Sequence, residues 1–260
     1  MPRNATSPPA IRSTGSVAIA AGSHEVLLLP QRALLDCASR SLMVADLHLG
    51  KAASFRAHGL PVPSGTTERT LARLDALLAQ TGARRLFLLG DLLHGPEALR
   101  PAVTTALAGW RSRHAQVEVI LVRGNHDARA GELPADCGID TVAPGHRLGG
   151  LRLLHEPPVE AAAASDAAFS LSGHLHPVCV LGKRADRLRL PCFRVRGHDA
   201  VLPAFGEFTG GWQVRPDPGD RLFVTDGERV AELPQRSRPG APGSQPSRAA
   251  VTQSRAALDR

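Results

Sequence analysis

Three stretches of sequence decide the fold: LMVADLHLG at 42–50, RRLFLLGDLLHG at 84–95 and VEVILVRGNHD at 117–127. Each contains a short apolar run, which is typical of a buried strand, and then turns polar. Helical spacing of leucines from about Thr66 to the stop signal at Gly82 predicts a helix between the first two stretches. A weaker helical pattern over 97–114 precedes the third. Strands that alternate with helices predict a parallel sheet.

Polar side chains follow each of these predicted strands. Asp46 and His48 are two residues apart, and side chains at i and i+2 of an extended strand point the same way. Gly90 lets the backbone turn sharply before Asp91. Asn125 follows the third strand. Because open α/β sheets place their sites at the carboxyl ends of their strands, we expect these side chains to converge.

After residue 150 the pattern changes to short strands separated by turn signals. These candidates predict a second sheet packed on the first, and thus a layered α/β domain; they are 151–154, 169–171, 178–181, 188–195 and 222–224. His155 ends one of them. The segment SGHLHP at 172–177 supplies a second i, i+2 pair, His174 and His176.

Together the strand ends offer seven ligands: Asp46, His48, Asp91, Asn125, His155, His174 and His176. Seven exceed what one ion draws from a protein and suit two ions that share a carboxylate. Imidazole and oxygen ligands without thiolate favour Mn²⁺, with Fe or Zn²⁺ as alternatives. Two cations about 3.5–4 Å apart activate a bridging hydroxide and stabilise in-line displacement at phosphorus. The ligands therefore predict phosphoester hydrolysis.

The ordered set D-x-H, GD, GNHD and GHLH within 42–176 resembles the calcineurin-like metallophosphoesterase superfamily. The resemblance implies a four-layer α-β-β-α sandwich. It also divides the ligands: one metal would be held by Asp46, His48, Asp91 and His176, and the other by Asp91, Asn125, His155 and His174. His126 would protonate the leaving oxygen, and Asp127 would orient the ring of His126.

A narrower resemblance joins VADLHLGKAASFRAHGLPVPSG at 44–65 to LGDLLHG and to LPAFGEFTGG at 202–211. These runs are similar to the bacterial ligase-associated DNA damage response endonucleases of the PdeM type. That similarity implies a DNA substrate, a role in DNA repair, and a DNA ligase and a helicase as partners. His94 is similar to a histidine of related repair nucleases that contacts the substrate phosphate.

Charge and composition set the boundaries of the predicted domain. The formal net charge is +7, of which residues 1–23 carry +2 and residues 234–260 carry +4. Both ends are polar and rich in proline, so we expect disordered segments at 1–23 and 234–260 around a metallophosphoesterase domain at 24–233. The sequence lacks an apolar run of 18 residues and a secretory signal pattern, so we expect a cytoplasmic protein that does not cross a membrane.

Two other readings of the sequence stay open beside the DNA endonuclease. One is a hydrolase of small phosphoesters or cyclic nucleotides, and the other is a non-catalytic scaffold of a repair complex. The complete ligand set argues against the scaffold. Lys51, Arg56 and Arg123 are candidates for steering phosphates toward the metals. Trp110 and Trp212 are the only tryptophans. We expect Trp110 to pack in the core beneath its helix. Trp212 is a candidate platform on which a base could stack, but packing is the favoured expectation for it as well.

Overall fold

The computed structural model of the chain describes residues 14–158, 168–182 and 186–234, and its centre is a pair of β-sheets packed face to face. Most of the two predicted disordered ends, residues 1–13 and 235–260, lies outside the described residues. No helix in the described ranges is long and apolar enough to span a bilayer.

The first sheet has seven strands, which lie side by side in the order in which they follow one another along the chain. They are β1 (Val17–Ala21), β2 (His24–Leu29), β3 (Ala33–Asp36), β4 (Ser41–Val44), β5 (Arg85–Leu89), β6 (Glu118–Val122) and β7 (Asp140–Val142). Strands β1 to β4 form an antiparallel meander, whereas β4 to β7 are parallel. The carboxyl ends of β4, β5 and β6 therefore lie at one edge, as predicted.

The second sheet has nine strands. They are β8 (His146–Leu148), β9 (Leu151–Leu153), β10 (Phe169–Ser172), β11 (Pro177–Leu181), β12 (Leu188–Arg196), β13 (Asp199–Val201), β14 (Trp212–Gln213), β15 (Arg221–Thr225) and β16 (Val230–Glu232). The strand order is β14-β11-β12-β13-β10-β9-β8, with β15 on β12 and β16 on β15.

The helices of the described residues all fall within residues 51–137. They are α1 (Lys51–Ala57), α2 (Thr66–Thr81), α3 (Pro101–Arg113) and α4 (Asn125–Ala130), with 3₁₀ turns at Pro96–Leu99 and Ala135–Cys137. Helices α2 and α3 cover the face of the first sheet that is turned away from the second. The two stacked sheets and the helices confirm the expected sandwich architecture.

Alternation along each strand divides the core into two layers. In β4, Leu42 and Val44 pack against the helices, while Met43 packs against the second sheet. The same division holds in β5, where Leu88 faces the helices and Phe87 the other sheet. Both faces of these strands are buried, which explains why the sequence shows unbroken apolar runs rather than alternation.

Two of the predicted boundaries are wrong. Strand β1 lies inside the segment expected to be disordered, because Ile19 and Ala21 bury their side chains while β1 pairs antiparallel with β2. The helix expected over 97–114 is interrupted: Arg100 is extended (φ −66°, ψ 149°), and α3 starts only at Pro101. The proline ring disfavours a helical conformation in the residue before it.

We expect Leu171→Ala to lower the free energy of unfolding by about 2–5 kcal/mol, because Leu171 is fully buried between the two sheets. Leu188→Ala is the matched control, since that side chain is 56% exposed and its loss should cost under about 0.5 kcal/mol. Urea unfolding of both variants measures the difference. Equal midpoints would mean that Leu171 does not lie in an inter-sheet core.

Candidate metal centre

The chain segments after β4 and β5 run side by side at the edge of the first sheet. The N–H of Asp46 donates to the carbonyl of Gly90 (3.2 Å), and the N–H of His48 donates to the carbonyl of Asp91 (2.8 Å). A further parallel bridge joins Leu49 to Leu93. The parallel pairing thus continues past the strands and brings the side chains of both segments into one site.

Left-handed backbone, rather than strand alternation, directs most of these side chains. Five predicted ligands have positive φ angles: Asp46 (56°), His48 (47°), Asp91 (51°), His174 (69°) and His176 (46°). Such a conformation costs a non-glycine residue about 1–3 kcal/mol and is concentrated at functional sites. The two i, i+2 pairs converge as expected, but they do so in tight turns after β4 and β10.

Two glycines allow the close packing around Asp91. Gly90 has a φ of 78°, and a Cβ at this position would overlap the imidazole of His155. A Cβ on Gly124 would overlap the Asp91 carboxylate and its backbone nitrogen. The GD and GNHD motifs therefore need their glycines for steric reasons.

The first group of ligands consists of Asp46, His48 and His176, whose ligand atoms lie within 4.8 Å of one another. Nε2 of His48 lies 3.3 Å from Nε2 of His176. That nitrogen of His176 is also 3.5 Å from Oδ1 of Asp46. The group contains three of the four ligands that the family resemblance implies for one metal.

The second group consists of Asp91, His155 and His174, with Asn125 beside them. Nε2 of His155 is 2.9 Å from Oδ1 of Asn125 and 3.0 Å from Nδ1 of His174. Nδ1 of His155 lies 3.1 Å from the carbonyl oxygen of Leu89. Because a carbonyl oxygen can only accept a hydrogen bond, Nδ1 carries the proton, and Nε2 has the lone pair that can bind a metal. All four residues assigned to the second metal therefore meet.

Asp91 lies between the two groups. Its Oδ2 is 3.8 Å from Nε2 of His48, and its Oδ1 is 3.4 Å from Nε2 of His155. Each oxygen thus faces a different group, which is the position required of a carboxylate that bridges two ions. The structure brings together all seven predicted ligands.

A buried oxygen without a hydrogen-bond partner and a close pair of imidazole nitrogens make the site suitable for a cation. Oδ1 of Asp46 is fully buried and has no hydrogen-bond partner among the described residues. Burial of a lone carboxylate oxygen without a partner is costly unless a cation binds it. The close pair of nitrogens from His48 and His176 likewise directs lone pairs at a common point. Carboxylate, amide and imidazole ligands suit Mn²⁺, Fe or Zn²⁺.

Burial favours the ligating form of His48 but opposes that of Asp91. The pKa of His48 is lowered to about 2, chiefly by desolvation and then by His176 and Lys51, so its imidazole is neutral and able to ligate. Desolvation raises the pKa of Asp91, and the nearby Asp46 raises it further. A bound cation would reverse that destabilisation of the carboxylate.

His126 lies beside the two groups and is held by His94. Nδ1 of His126 is 2.6 Å from the carbonyl of His94, so this nitrogen is the donor and carries a proton. The two rings stack with centroids 4.9 Å apart. Burial, with further contributions from Lys51 and His126, lowers the pKa of His94 to about 4. Nδ1 of His94 in turn lies 3.3 Å from Nδ1 of His48.

The Asp127 carboxylate makes no hydrogen bond to the ring of His126, so the structure does not support the expected orienting role. Its Oδ1 accepts the N–H of Leu93 (2.9 Å), and its Oδ2 accepts the N–H of Gly124 (2.9 Å). Asp127 is the third residue of α4, and a carboxylate there turns back to the start of the helix. It ties the loop after β5 to the loop after β6.

The three candidate steering cations differ in their surroundings. Arg56 donates to the carbonyls of Val62 and Pro63, and Arg123 is paired with Glu132 (2.7 Å). Only Lys51 lies at the site, where burial lowers its pKa and its charge lowers those of His48 and His94.

The sequence reasoning missed an aromatic cluster beside the histidines. Phe55 stacks on His94 with centroids 6.3 Å apart, and Phe208 meets Phe55 edge-on at 5.7 Å. Lys51 lies over the ring of Phe55, 6.0 Å from its centroid. The i, i+4 spacing of Lys51 and Phe55, directly after the DLHLG motif, is the signal that could have revealed α1.

Residues 202–211, which belong to the narrower sequence similarity, stabilise the turn after β4 that carries Asp46. The N–H of Phe205 donates to the carbonyl of Ala45 (2.8 Å), and the N–H of Gly206 donates to the carbonyl of Asp46 (3.1 Å). Arg73 of α2 binds the carbonyl of Phe205 (2.7 Å). Burial lowers the pKa of Arg73 to about 10, which leaves it charged at neutral pH.

Comparisons with known proteins agree with this geometry. The profile of the family described as Calcineurin-like phosphoesterase matches residues 39–190, more than half of the chain. The crystal structure of Pseudomonas putida nuclease MPE is 41% identical with a TM-score of 0.72, covering 84% of this chain and 100% of that one. Yfce, a phosphoesterase from E. coli, is 20% identical with a TM-score of 0.37 over 74% of this chain and 97% of that one, which is too distant to carry an argument. No curated protein matches the chain.

The family match covers all seven predicted ligands, and the structure gathers them at one edge of the sandwich. The chain belongs to the calcineurin-like phosphoesterase family and is a metal-dependent phosphoester hydrolase.

Proposed function

We propose that the protein is a DNA endonuclease that uses two metal ions, with Mn²⁺ the preferred ion. The position of Asp91 carries this proposal, because its two oxygens face separate groups of ligands. The similarity to the P. putida nuclease supports a nucleic acid as the substrate. The sequence identity of 41% extends over the whole length of the P. putida nuclease. That identity is high enough to support a similar site chemistry as well as a similar fold.

In the proposed reaction the chain positions a phosphodiester and supplies a proton. Asp46, His48, Asp91 and His176 would hold one ion, and Asp91, Asn125, His155 and His174 the other. Two divalent ions supply Lewis-acid stabilisation of the phosphate and a nucleophile at neutral pH. The His94 carbonyl holds one proton of His126 on Nδ1. In the doubly protonated imidazolium form, Nε2 carries a second proton, which His126 would give to the leaving oxygen before it returns to the neutral ring.

Lys51 would bind a non-bridging phosphate oxygen. It is the half-buried cation next to His48 and His94, where solvent screening is weaker than at the surface. We also place the enzyme in DNA repair, beside a helicase and a DNA ligase. That part of the proposal rests on the similarity of the motifs at 44–65 and 202–211.

The substrate class is tested with three substrates and the Mn²⁺-loaded protein. We expect cleavage of circular single-stranded DNA, which has no ends, as well as linear DNA and bis(p-nitrophenyl) phosphate. Cutting of the linear form alone would indicate an exonuclease. Hydrolysis of the small diester with no DNA cleavage would replace the nuclease by the small-phosphoester hydrolase.

We expect Asp91→Asn to reduce bound metal to below one ion per chain and to abolish measurable hydrolysis. The substitution keeps the shape of the side chain but removes the charge that both ions share. Elemental analysis of the purified proteins measures the metal content. Asp75→Asn is the control, because Asp75 pairs with His114 and Arg113 at the surface. Two ions and a normal rate in Asp91→Asn would contradict the shared ligand.

We expect His126→Ala to keep its metals and to slow DNA cleavage by about 10²–10⁴-fold, the usual contribution of a general acid. The loss should be much smaller for bis(p-nitrophenyl) phosphate, because nitrophenolate leaves without a proton. His58→Ala, an exposed histidine of the α1 terminus, is the control. An equal loss on both substrates would instead assign His126 to phosphate binding.

A further inference from the structure

Trp212 is the most exposed large apolar side chain of the described residues. It is 78% exposed, whereas Trp110 is 1% exposed and packs in the helix-covered core. The expectation that both tryptophans are packed is therefore wrong for Trp212. An indole as exposed as this one is uncommon, because tryptophan is highly buried on average.

The backbone of Trp212 is fixed against the metal centre. Its N–H donates to the carbonyl of His176 (2.9 Å), and β14 pairs with β11 so that Trp212 lies opposite Pro177. Gly211 packs so closely that a Cβ would overlap Val178. The indole thus projects from a rigid support that is hydrogen-bonded to a predicted metal ligand.

A groove of about 700 Å³ opens beside this indole. Leu175, which lies between the two ligand histidines and is 41% exposed, forms one part of its wall. Arg194 and Val201 also line it, and their neighbours Val195 and Ala200 face the inter-sheet core. The groove therefore leads from the GHLH turn onto the outer face of the second sheet.

The charged residues that line the groove are both arginines, Arg194 and Arg215. Arg215 lines it, is exposed and forms no ion pair within the described ranges. The Arg189 guanidinium donates to the carbonyl of Gly211, next to Trp212. Arg194 is paired with Asp199 at 3.2 Å. An aromatic platform with cations beside it is how proteins bind single-stranded nucleic acid: bases stack on the ring and phosphates meet the cations.

We propose that Trp212 is a stacking platform for a base of single-stranded DNA next to the phosphodiester at the metal centre, with Arg215 contacting the adjoining phosphate. This inference rests on the proposed nuclease function and adds to it a residue that binds a base beside the reacting phosphodiester. In a duplex each base face is covered by its neighbours, so only an unstacked base offers a free face to the indole.

Fluorescence tests the contact directly, because the chain has only two tryptophans and the other is buried. The full-length protein is titrated with oligothymidylate, as purified and with EDTA added to prevent cleavage. We expect quenching of the exposed tryptophan in the wild type and none in Trp212→Phe, which retains only Trp110. An abasic oligonucleotide of equal length should quench far less, because it offers no base to stack.

Binding and cleavage of oligothymidylate provide the second readout. We expect Trp212→Ala to weaken binding about 5- to 150-fold, the usual effect of losing one stacked base, and Trp212→Phe to retain most of the affinity. Hydrolysis of bis(p-nitrophenyl) phosphate should be unchanged in both variants. Leu60→Ala, which removes another exposed apolar side chain, is the control and should bind like the wild type.

The remaining outcomes separate this inference from the proposed function. If the wild type cuts DNA while Trp212→Ala binds and cuts it equally well, the stacking platform is wrong and the nuclease stands. The same conclusion follows if abasic and normal oligonucleotides quench equally. If the wild type neither binds nor cuts DNA but hydrolyses the small diester, both proposals fail, and the exposed indole would then serve a different partner such as a protein.

Discussion

Two carboxylates buried side by side among histidines are the constraint around which this molecule is built. Asp46 and Asp91 are almost fully excluded from solvent, and the pKa of Asp91 is raised by its burial and further by the neighbouring Asp46. Neutral imidazoles cannot compensate two negative charges, as the low pKa of His48 shows. Divalent cations can. The arrangement is therefore favourable only as a metal centre, and its empty form would be electrostatically strained.

The sandwich supplies the rigidity that this site requires. Five left-handed non-glycine residues store strain in the ligand turns, and strain persists only where surrounding structure fixes it. Strands β4 and β5 are buried on both faces, and their pairing extends into the turns through the bond from His48 to Asp91. Arg73 and the loop at Phe205 hold the same turn from the opposite side. The ligand geometry thus depends on the parallel strands and on α2.

The sequence predicted which side chains meet at the site, because buried parallel strands appear as apolar runs and the strand ends are marked by an abrupt change to polar residues. It could not reveal features set by pairing or by local helix geometry. Strand β1 has the apolar sequence VAIAA, but it buries only two side chains and follows a polar segment that contains prolines, so the whole segment is predicted to be disordered. The sequence similarity implies that Asp127 orients the ring of His126. In the structure Asp127 lies in the first turn of α4, and its carboxylate accepts hydrogen bonds from backbone N–H groups instead. The exposure of Trp212 follows from the two-residue strand β14, which composition does not predict.

His94 shows how one residue can serve the site in two separable ways. Its carbonyl holds the proton of His126 on Nδ1, whereas its ring stacks between His126 and Phe55 and faces His48. A side-chain substitution removes the ring but leaves the carbonyl in place. The tautomer of His126 is therefore set by the backbone of the loop after β5, which Asp127 ties to the loop after β6. The ring orientation of His126, the proposed acid, thus depends on the fold of two neighbouring loops and not on a direct hydrogen bond from a carboxylate to the ring.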